Sequence, residues 1–559
     1  MNSQEILQQK KMELKRIIES EVFITSKKEK SFSEAGVEYK WIFDFKRVLL
    51  KVEVLNLLSE IFWMIFKERG KFQIGCLEIT GVVLVTSFIF KKFQDDGSKT
   101  NGFFIRKSRK REGFTRMFEG CELNEDPVVL VDDSMNSGKS FIRQIEALES
   151  QKKKVIAVFT MTRFRDLEYY QYLSSKNIEI ISIFELDDFK DSLGVENVRD
   201  EKQNTPIPFK VDWLFRPEDP AYFLVVPKSA PVLDDTSVYF GSDGGYFWSL
   251  DKETGDVRWK FKVYSGSMGP RKKGKHILSS PKVHGGTVYF GAYDGNVYAL
   301  ETSSGKKKWV NMDADWIGSS PALAPDISLL FVGLEFGLLK KKGGIGAIDM
   351  KTGLMKWSFI MEKYTHASPA YSQKNRIVIS GSEEGIVYGF NAINGKVLWK
   401  FLTGGAIKAS FVLSEDEGYI AFGSFDTFIY VLDIKSGEVM QKWETGNNVY
   451  SDAIFKGDYL YMGCTDKMVY CFNYKNGDRV WEYKTNGRIF ASPIIVKDRL
   501  YIGSNDGILY ELTLLDGKVS GMFQSVERIV NRVAFDQKTQ CFYVPTVANE
   551  LYKLKYLEN

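Results

Sequence analysis

Two adjacent carboxylates followed by a small polar loop form the segment of the sequence best suited to chemistry. Residues 128–140 read VVLVDDSMNSGKS, so four apolar residues lead directly into Asp132 and Asp133. The loop that follows consists of Asn136, Ser137, Gly138, Lys139 and Ser140. The next residues, FIRQIEAL, have helical spacing, and backbone N–H groups at the start of a helix attract anions. The segment therefore predicts a site for a phosphate group and its metal ion.

The flanking sequence predicts the elements that position this segment. The apolar run Val128–Val131 is typical of a parallel strand covered on both faces. Open α/β sheets bind ligands at the carboxyl ends of such strands, where Asp132 and Asp133 fall. Further buried strands are predicted at residues 153–164 and 178–186, separated by a helix, so we expect a Rossmann-like α/β domain. The terminal GKS suggests a P-loop, but that motif needs a glycine where Asp133 stands.

The segment resembles the PRPP-binding loop of type I phosphoribosyltransferases, where PRPP is 5-phosphoribosyl 1-pyrophosphate. That loop is an apolar strand, Asp-Asp, and a short run containing Thr and Gly. Asn136 stands where the family usually has Thr, and Lys139 where it usually has a small residue or Thr. The resemblance implies that Asp132 and Asp133 hold the ribose hydroxyls and, directly or through water, Mg²⁺. It also implies that residues 136–140 bind the 5'-phosphate.

Residues 103–120 read FFIRKSRKREGFTRMFEG and resemble the flexible active-site loop of orotate-type phosphoribosyltransferases. The matching positions are Arg106, Lys107, Lys110, Gly113, Glu119 and Gly120. Glu112 stands where the family has histidine, so the charge available there changes sign. The resemblance implies that Arg106 and Lys107 bind pyrophosphate and that Lys110 is catalytic, because cations neutralise the charge of this leaving group.

Residues 72–90, FQIGCLEITGVVLVTSFIF, predict a strand, a turn and an apolar helix. They resemble the pyrophosphate segment of the same family, with Glu78, Thr80 and Gly81 in the turn. Segments before residue 70 are predicted to be helical, with WIFDFKRVLL leading into an apolar helix that would supply the base-selecting hood. No orotate-recognition signature is evident there, so the acceptor stays open. Orotate-type relatives place the flexible loop over a neighbouring subunit, which implies a homodimer through this domain.

Length and composition bound the rest. At 559 residues the chain is expected to hold two or three domains. A formal net charge of +4 implies no general attraction to polyanions. Five cysteines without CxxC spacing are typical of a reducing compartment. The N-terminus is a charged amphipathic helix and no stretch reaches transmembrane length, so we expect a soluble, cytoplasmic protein.

From about residue 210 an internal repeat of 40 to 50 residues begins, the size of a four-stranded blade. Each copy has an apolar strand ending in Gly, a polar turn, an aromatic strand, a second turn and then Trp. The strand-ending glycines are Gly241, Gly291, Gly333, Gly381, Gly423, Gly463 and Gly503. The tryptophans are Trp259, Trp309, Trp357, Trp399, Trp443 and Trp481, and Met522 is interpreted as the seventh copy's replacement. The strand CFYVP near Val544 is a degenerate eighth copy without an outer strand.

The missing outer strand is predicted at the start of the repeat region. Trp213-Leu214-Phe215 matches Trp259-Lys260-Phe261, and a ring closed this way leaves no free sheet edge. The region resembles the PQQ-like, tryptophan-docking eight-bladed β-propellers, and we interpret the tryptophans as packing residues. We expect no PQQ, because quinoprotein dehydrogenases carry adjacent cysteines and a calcium carboxylate set over the cofactor, and no adjacent cysteines occur here.

The expected domains are a helical segment at 1–30, a phosphoribosyltransferase-like domain at 31–200, a linker at 201–209 and the propeller at 210–559. Two basic insertions in the propeller are predicted to emerge on one face. They are Arg271, Lys272, Lys273 and Lys275 in the first, and Lys340, Lys341 and Lys342 in the second. Such loops either only solvate the surface or bind a polyanion such as nucleic acid.

The sequence leaves two functions open. The first is a Mg²⁺-dependent phosphoribosyltransferase whose propeller selects the acceptor or a protein partner. The second is a nucleotide sensor or adaptor without turnover, whose propeller docks a protein or nucleic acid, as would suit a stress or antiviral defence module. The Asp132-Asp133 pair favours the enzyme, whereas Asn136, Lys139 and Glu112 favour the sensor.

Overall fold

The structure is a computed structural model in which the chain divides into two compact units, Met1–Asn204 and Thr205–Asn559. It describes residues 2–25, 41–77, 80–105, 118–136, 138–189, 208–217, 229–263, 276–337, 341–525 and 527–556. The first unit is mixed α/β and the second is all-β, which confirms the predicted fold classes.

The first unit alternates helices and strands. The helices are α1 (Ser3–Ile17), α2 (Val52–Phe66), α3 (Thr80–Asp96), α4 (Lys139–Ser150) and α5 (Gln171–Ser175). The strands are β1 (Phe23–Thr25), β2 (Trp41–Phe43), β3 (Gln73–Leu77), β4 (Gly102–Ile105), β5 (Phe118–Gly120), β6 (Val128–Met135), β7 (Val155–Arg163) and β8 (Glu179–Glu185). A π-helical turn covers Ile18–Val22, and 3₁₀ turns cover Phe45–Arg47, Leu167–Tyr170 and Leu186–Phe189.

Six of these strands form one sheet in the order β5-β4-β3-β6-β7-β8. All neighbours pair in parallel except β5, which runs antiparallel to β4. The strand β6 lies between β3 and β7, with Val131 opposite both Cys76 and Phe159. Its apolar residues are buried from both faces, as a continuous apolar run predicts. The carboxyl end of β6 is therefore held between two further strands.

The prediction for the region before residue 70 is partly wrong. Residues Trp41–Phe43 form a strand that pairs antiparallel with Phe23–Thr25, rather than leading into α2 as helix. The helix α1 is not a separate segment, because Leu14 is buried in the core that also contains Phe62 of α2. Lys10 of α1 also pairs with Glu60 of α2 at 2.6 Å.

The second unit is a ring of eight four-stranded sheets. Blade 1 contains β10 (Val232–Leu233), β11 (Ser237–Gly241), β12 (Tyr246–Asp251) and β13 (Val257–Lys262), and blade 2 contains β14 (Lys282–His284), β15 (Thr287–Gly291), β16 (Val297–Glu301) and β17 (Lys307–Asn311). Blade 3 contains β18 (Ala322–Ala324), β19 (Leu329–Phe336), β20 (Lys342–Asp349) and β21 (Met355–Met361). Blade 4 contains β22 (Ala370–Ser372), β23 (Ile377–Gly381), β24 (Ile386–Asn391) and β25 (Val397–Leu402).

The remaining blades follow the same antiparallel order. Blade 5 contains β26 (Val412–Leu413), β27 (Tyr419–Gly423), β28 (Phe428–Asp433) and β29 (Val439–Glu444), and blade 6 contains β30 (Ile454–Lys456), β31 (Tyr459–Gly463), β32 (Met468–Asn473) and β33 (Arg479–Lys484). Blade 7 contains β34 (Ile494–Val496), β35 (Arg499–Gly503), β36 (Ile508–Thr513) and β37 (Val519–Gln524). Blade 8 contains β38 (Ala534–Asp536), β39 (Cys541–Pro545), β40 (Leu551–Tyr556) and, as its outer strand, β9 (Phe209–Phe215).

The pairing of β40 with β9 confirms the predicted ring closure. Trp213 lies opposite Lys553, and Phe215 lies opposite Leu551. Lys553 is fully buried and contacts Asp212 of β9 at 3.1 Å and Glu253 of blade 1 at 2.9 Å. The two ends of the propeller sequence thus share one sheet, which leaves no blade incomplete.

Seven tryptophans connect neighbouring blades. Each indole N–H donates to a backbone carbonyl of the next blade at 2.7–3.2 Å. The pairs are Trp213–Lys252, Trp259–Thr302, Trp309–Met350, Trp357–Ala392, Trp399–Ile434, Trp443–Gly477 and Trp481–Leu514. Several rings also cover a glycine of that blade, as Trp309 covers Gly353. The tryptophans therefore pack between blades, as interpreted from the sequence.

Two blades depart from the predicted tryptophan positions. We call the outer-strand position that holds tryptophan in the other blades the docking position. In blade 5 this position lies opposite Val431 and holds Gln441, and Trp443 lies two residues further along the strand. In blade 7 the docking position holds Gly521, so the interpretation of Met522 as the replacement is wrong by one residue. A Cβ on Gly521 would lie 2.7 Å from Pro208 Cγ. Because Pro208 immediately precedes β9, the vacant position accommodates the chain as it enters the closing strand.

This packing predicts that restoring the repeat at Gly521 destabilises the propeller. An indole there would overlap Pro208 and Glu511, whose Oε2 lies 2.9 Å from the Cβ position. We expect Gly521→Trp to lower the free energy of unfolding by about 1–3 kcal/mol, the usual cost of overpacking. Gln441→Trp is the matched control, because Gln441 holds the same docking position in blade 5, where its side chain already covers Gly477 of blade 6. Urea unfolding measures the free energy of unfolding of both variants. Equal values would show that Pro208 does not fill the docking position.

Candidate functional site

The two predicted carboxylates lie within strand β6, near its carboxyl end. Asp132 pairs with Thr160 of β7, and β6 continues to Met135. The backbone N–H of Asp133 donates to Asp132 Oδ1 at 3.0 Å, and Ser134 Oγ donates to Asp133 Oδ1 at 3.2 Å. The sheet ladder therefore holds both carboxylates at the carboxyl edge, the position where parallel sheets bind ligands.

Burial is the main cause of the pKa shifts at this edge of the sheet. Burial raises the pKa of Asp133, against the opposing effects of hydrogen bonds from Ser134 and of the positive charge of Lys46. Burial also raises the pKa of the Cys76 thiol on β3 to about 12, and the Asp132 carboxylate adds to that shift. The thiol is therefore protonated at neutral pH and adds no charge at this edge.

The loop after β6 has the backbone geometry of an anion site. Gly138 adopts a left-handed conformation with φ of 71°, and α4 begins at the next residue. The N–H of Ile142 donates to the Gly138 carbonyl at 3.0 Å, which closes the first helical turn. The N–H groups that precede this bond have no partner within an α-helix, and the helix dipole adds positive potential there. This arrangement can hold a phosphate group.

Residues from the next crossover clamp the start of the loop. The hydroxyl of Tyr170 lies 3.1 Å from the Met135 carbonyl and 2.8 Å from the Asn136 carbonyl. Arg165 Nε donates to Asn136 Oδ1 at 3.0 Å, and its guanidinium lies over the Tyr169 ring at 4.3 Å. Asn136, the residue that departs from the family pattern, is thus bound on both its backbone and its side chain.

The predicted pyrophosphate turn reaches the same edge. The helix α3 begins at Thr80, directly followed by Gly81. A Cβ on Gly81 would lie 2.5 Å from Cys76 Cβ and 3.3 Å from the Val131 carbonyl oxygen. Only glycine allows this approach, so the start of α3 packs directly against the residue that precedes Asp132.

Several predicted site residues lie outside the described residues. They are Glu78, Arg106, Lys107, Lys110, Glu112, Gly113 and Ser137, together with the side chain of Lys139. Lys139 and Ser140 contribute the first two residues of α4, and Glu119 and Gly120 lie on β5. The described residues therefore bring together Asp132, Asp133, Asn136, Gly138 and Gly81.

Three residues near the site were missed from the sequence. Tyr170 and Arg165 hold Asn136, and Lys46 acts on the Asp133 carboxyl. Polar and aromatic residues directly after β7 could have indicated the first two, because β7 ends at the same edge of the sheet. No signal in the sequence places Lys46 there.

The donor chemistry of the edge fits a magnesium ion. Mg²⁺ is usually held by one or two carboxylates, with the remaining positions filled by water and substrate phosphates. Asp132 and Asp133 supply such oxygens. Within the described ranges no cluster of three His, Cys, Asp or Glu side chains could hold a metal ion by itself.

Only part of the predicted basic surface of the propeller can be located. Lys342 is the first residue of β20 and Lys341 directly precedes it, and Lys342 Nζ contacts Glu362 at 3.2 Å. Arg271, Lys272, Lys273, Lys275 and Lys340 lie outside the described residues. Polyanion binding by these loops stays a prediction.

The two units define a protein that joins a parallel α/β domain with a phosphate-type loop to a closed eight-bladed propeller. The family model described as outer membrane protein assembly factor BamB matches residues 224–378 and 383–552, and the chain belongs to that family. None of the helices in the described part of the chain combines the length and apolar content needed to cross a membrane.

The first unit matches orotate phosphoribosyltransferases. The Streptomyces coelicolor enzyme is 26% identical over 127 residues, covering 23% of this chain and 69% of the relative. The Pyrobaculum islandicum enzyme is 24% identical over 179 residues, covering 32% of this chain and 89% of the relative. The N-terminal region is therefore phosphoribosyltransferase-like, as the motifs predicted.

Solved structures resemble the propeller. A computationally designed protein, Ika8, is 18% identical with a TM-score of 0.50, covering 61% of this chain and 98% of its own. The quinohemoprotein alcohol dehydrogenase of Comamonas testosteroni is 12% identical with a TM-score of 0.51, covering 63% of this chain and 77% of its own. At these identities the likeness concerns the fold alone.

Proposed function

We propose that the first unit binds PRPP or a nucleoside 5'-monophosphate together with Mg²⁺. The observation that carries this proposal is the convergence of three features at the carboxyl end of β6. They are the Asp132-Asp133 pair, the left-handed Gly138 that starts α4, and the approach of Gly81 to Val131. The similarity of this unit to orotate phosphoribosyltransferases supports the same ligand class.

Each feature has a defined part in binding. Asp132 and Asp133 accept hydrogen bonds from the ribose hydroxyls and hold Mg²⁺ directly or through water. The N–H groups at the start of α4, with Ser137 and Ser140, bind the 5'-phosphate. The metal, when bound, neutralises pyrophosphate charge. Arg106, Lys107 and Lys110 contact the pyrophosphate, together with Glu78, Thr80 and Gly81.

The proposed activity is transfer of the phosphoribosyl group to a nitrogen acceptor. Such transfer depends on positioning and on stabilisation of the leaving pyrophosphate rather than on a strong general base. Binding without turnover is the second candidate, favoured by Asn136. Its side-chain oxygen is engaged by Arg165 at 3.0 Å, so the loop departs from the family at a position that would face the phosphate.

The propeller is proposed to recognise a partner or the acceptor, with a protein as the first choice and nucleic acid as the second. The first unit is proposed to form a homodimer, as its orotate-type relatives imply. A cytoplasmic location is also proposed. Its support is that Cys76, Cys121, Cys464, Cys471 and Cys541 are all free thiols, the usual state in reducing compartments.

Ligand-induced stabilisation tests the proposed function. Ligand present at about 100 times its dissociation constant stabilises the native state by about 2.7 kcal/mol. We therefore expect PRPP with Mg²⁺ to raise the melting temperature of the first unit by several degrees. Asp132→Asn combined with Asp133→Asn should abolish this shift. Differential scanning calorimetry of the full chain measures it.

The variant should lose ligand binding without unfolding. Burial raises the pKa of Asp133, so its ionised form opposes folding at neutral pH, and Asn removes that cost. Asp95→Asn with Asp96→Asn is the matched control, because this adjacent pair lies at the end of α3 and contacts Lys91 and Lys92. A wild type that neither PRPP nor a nucleoside monophosphate stabilises would contradict the proposal.

A further inference from the structure

The first strands of the blades surround the axis of the propeller. The strand β10 of blade 1 contacts β14 of blade 2 and β38 of blade 8, so these first strands are the innermost ones. Two positions before each innermost strand begins lies a residue that we call the belt residue. The belt residues are Ala230, Ser280, Ser320, Ser368, Ser410, Asp452, Ser492 and Arg532. At five places the backbone N–H of one belt residue donates to the side-chain oxygen of the belt residue in the next blade, at 2.8–3.0 Å.

The belt lines a channel that solvent enters. The blades of a propeller are arranged around a central channel. The belt residues Ser280, Ser320, Ser368 and Ser410 are half-buried and Arg532 is exposed, although all of them lie on the inside of the ring. The residue directly after each of these four serines is buried. Solvent therefore reaches the belt along the axis.

Three charged residues lie on this channel. Arg532 occupies the belt position of blade 8, and Asp452 occupies that of blade 6. Lys282 is the first residue of β14, whereas the other innermost strands begin with Val, Ala or Ile. In a ring of eight blades, blade 6 lies opposite blade 2, which carries Lys282, and blade 8 lies two blades away from it. The three charges therefore reach the channel from different sides.

These charges act on one another across the channel. Burial and the charge of Arg532 lower the pKa of Lys282 to about 8, and the Asp452 carboxylate opposes this shift. At neutral pH Lys282 is therefore still mostly an ammonium ion. Because residues of blades 6 and 8 both influence a lysine of blade 2, the three side chains lie around the same section of the channel.

Neither cation has a counter-ion in the described part of the chain. There the Lys282 ammonium and the Arg532 guanidinium form no ion pair and no side-chain hydrogen bond, with Asp452 or with any other residue. Asp452 Oδ1 instead accepts the backbone N–H of Ser410 at 2.8 Å. The hydroxyl oxygens of Ser280 and Ser320 accept backbone N–H groups, which leaves their own protons to donate into the channel. This section of the channel thus has positive charge and hydroxyl donors in excess.

We propose that the central channel of the propeller binds a small oxyanion between the Lys282 ammonium and the Arg532 guanidinium. Both groups donate charge-assisted hydrogen bonds to phosphate or carboxylate oxygens. The hydroxyls of Ser280 and of the neighbouring belt serines add further donors. A bound anion removes the repulsion between the two cations, and Asp452 is the one charge of this section that opposes it. A phosphate ion and a small carboxylate present the same oxygens.

Isothermal titration calorimetry of the full chain with inorganic phosphate and with succinate, at constant ionic strength, tests this site. Lys282→Met, which installs an apolar residue as in the other innermost strands, should weaken binding about tenfold or more, because a charge-assisted hydrogen bond is lost. Lys456→Met is the matched control and should leave the affinity unchanged. Lys456 ends the innermost strand β30, where it is exposed and lies 3.8 Å from Glu415. An anion held at the start of α4 instead would bind all of these variants equally.

Arg532→Ser, which installs the belt residue of other blades, is the second variant and should weaken binding by a similar factor. Asp452→Asn should tighten binding, because it removes the opposing charge and keeps an oxygen for the Ser410 N–H. Binding of phosphate alone identifies a phosphate ligand, and binding of succinate alone identifies a carboxylate. The site would be overturned if neither anion bound, or if folded Lys282→Met or Arg532→Ser kept the wild-type affinity. An affinity that does not rise in Asp452→Asn would also overturn it.

Discussion

Replacing Trp213 by Ala is expected to open the propeller within blade 8, between β40 and β9. The Trp213 indole donates to the Lys252 carbonyl at 3.2 Å and covers Gly255, both in blade 1. Removing a packed Trp side chain costs about 3–5 kcal/mol. Blade 8 is the one blade whose strands are not consecutive in the chain. Its strand β40 holds β9 only by strand pairing and side-chain contacts, so the loss of Trp213, whose ring also contacts Tyr543 of β39, weakens this seam.

Trp309→Ala is the matched control for this seam. Trp309 makes the same contacts in the middle of the ring, donating to the Met350 carbonyl at 2.9 Å and covering Gly353. Both rings also lie 5.8 Å from a tyrosine of their own blade. The four strands of blade 2 are consecutive in the chain, so the effect of losing Trp309 should stay local.

Hydrogen exchange distinguishes the two variants. In Trp213→Ala, protection should fall about 100-fold or more across β9 and β38 to β40, because 3 kcal/mol of local stability corresponds to that factor. In Trp309→Ala, the loss should be confined to β17 and the adjoining turn of blade 3. The same extent of lost protection in both variants would show that β9 does not lock the ring.

The propeller could be predicted from the sequence because its signals are local and repeated. Each strand-ending glycine and each tryptophan recurs at the blade period, and the Trp213 strand matches the Trp259 strand within three residues. The departure of Trp443 from the docking position could not be predicted, because a shift of two residues along a strand keeps the side chain on the same face of the sheet. Gly521 was missed because its reason, Pro208, lies more than 300 residues away in the chain.

The site was predictable to the extent that it is contiguous. Asp132, Asp133 and Gly138 lie within seven residues, and their spacing indicated both the strand end and the helix start. The clamp on Asn136 was not predictable, because Tyr170 contacts it from 34 residues downstream and no periodicity marks that contact. The strand at Trp41–Phe43 was also missed, since its partner Phe23–Thr25 lies at a distance and both strands are only three residues long.

Gly138→Ala is expected to weaken phosphate binding by the first unit. Gly138 has φ of 71°, and a Cβ would lie 3.1 Å from Met135 Cε and 3.2 Å from Tyr170 Cδ1. Accommodating the methyl group must move the loop or the Tyr170 ring, which holds the Met135 and Asn136 carbonyls. Either movement redirects the N–H groups at the start of α4.

Gly97→Ala is the matched control. It measures the cost of a left-handed alanine backbone without the cost of a steric contact of the added methyl group. Gly97 has nearly the same φ, 72°, but nothing lies within 4 Å of its Cβ position. A left-handed alanine costs about 1–2 kcal/mol, so both variants should lose that much stability in urea. Only Gly138→Ala should also lose affinity for PRPP with Mg²⁺ in calorimetric titration, by about tenfold or more. If Gly138→Ala bound PRPP as tightly as Gly97→Ala, the phosphate would have to be held elsewhere than at the start of α4.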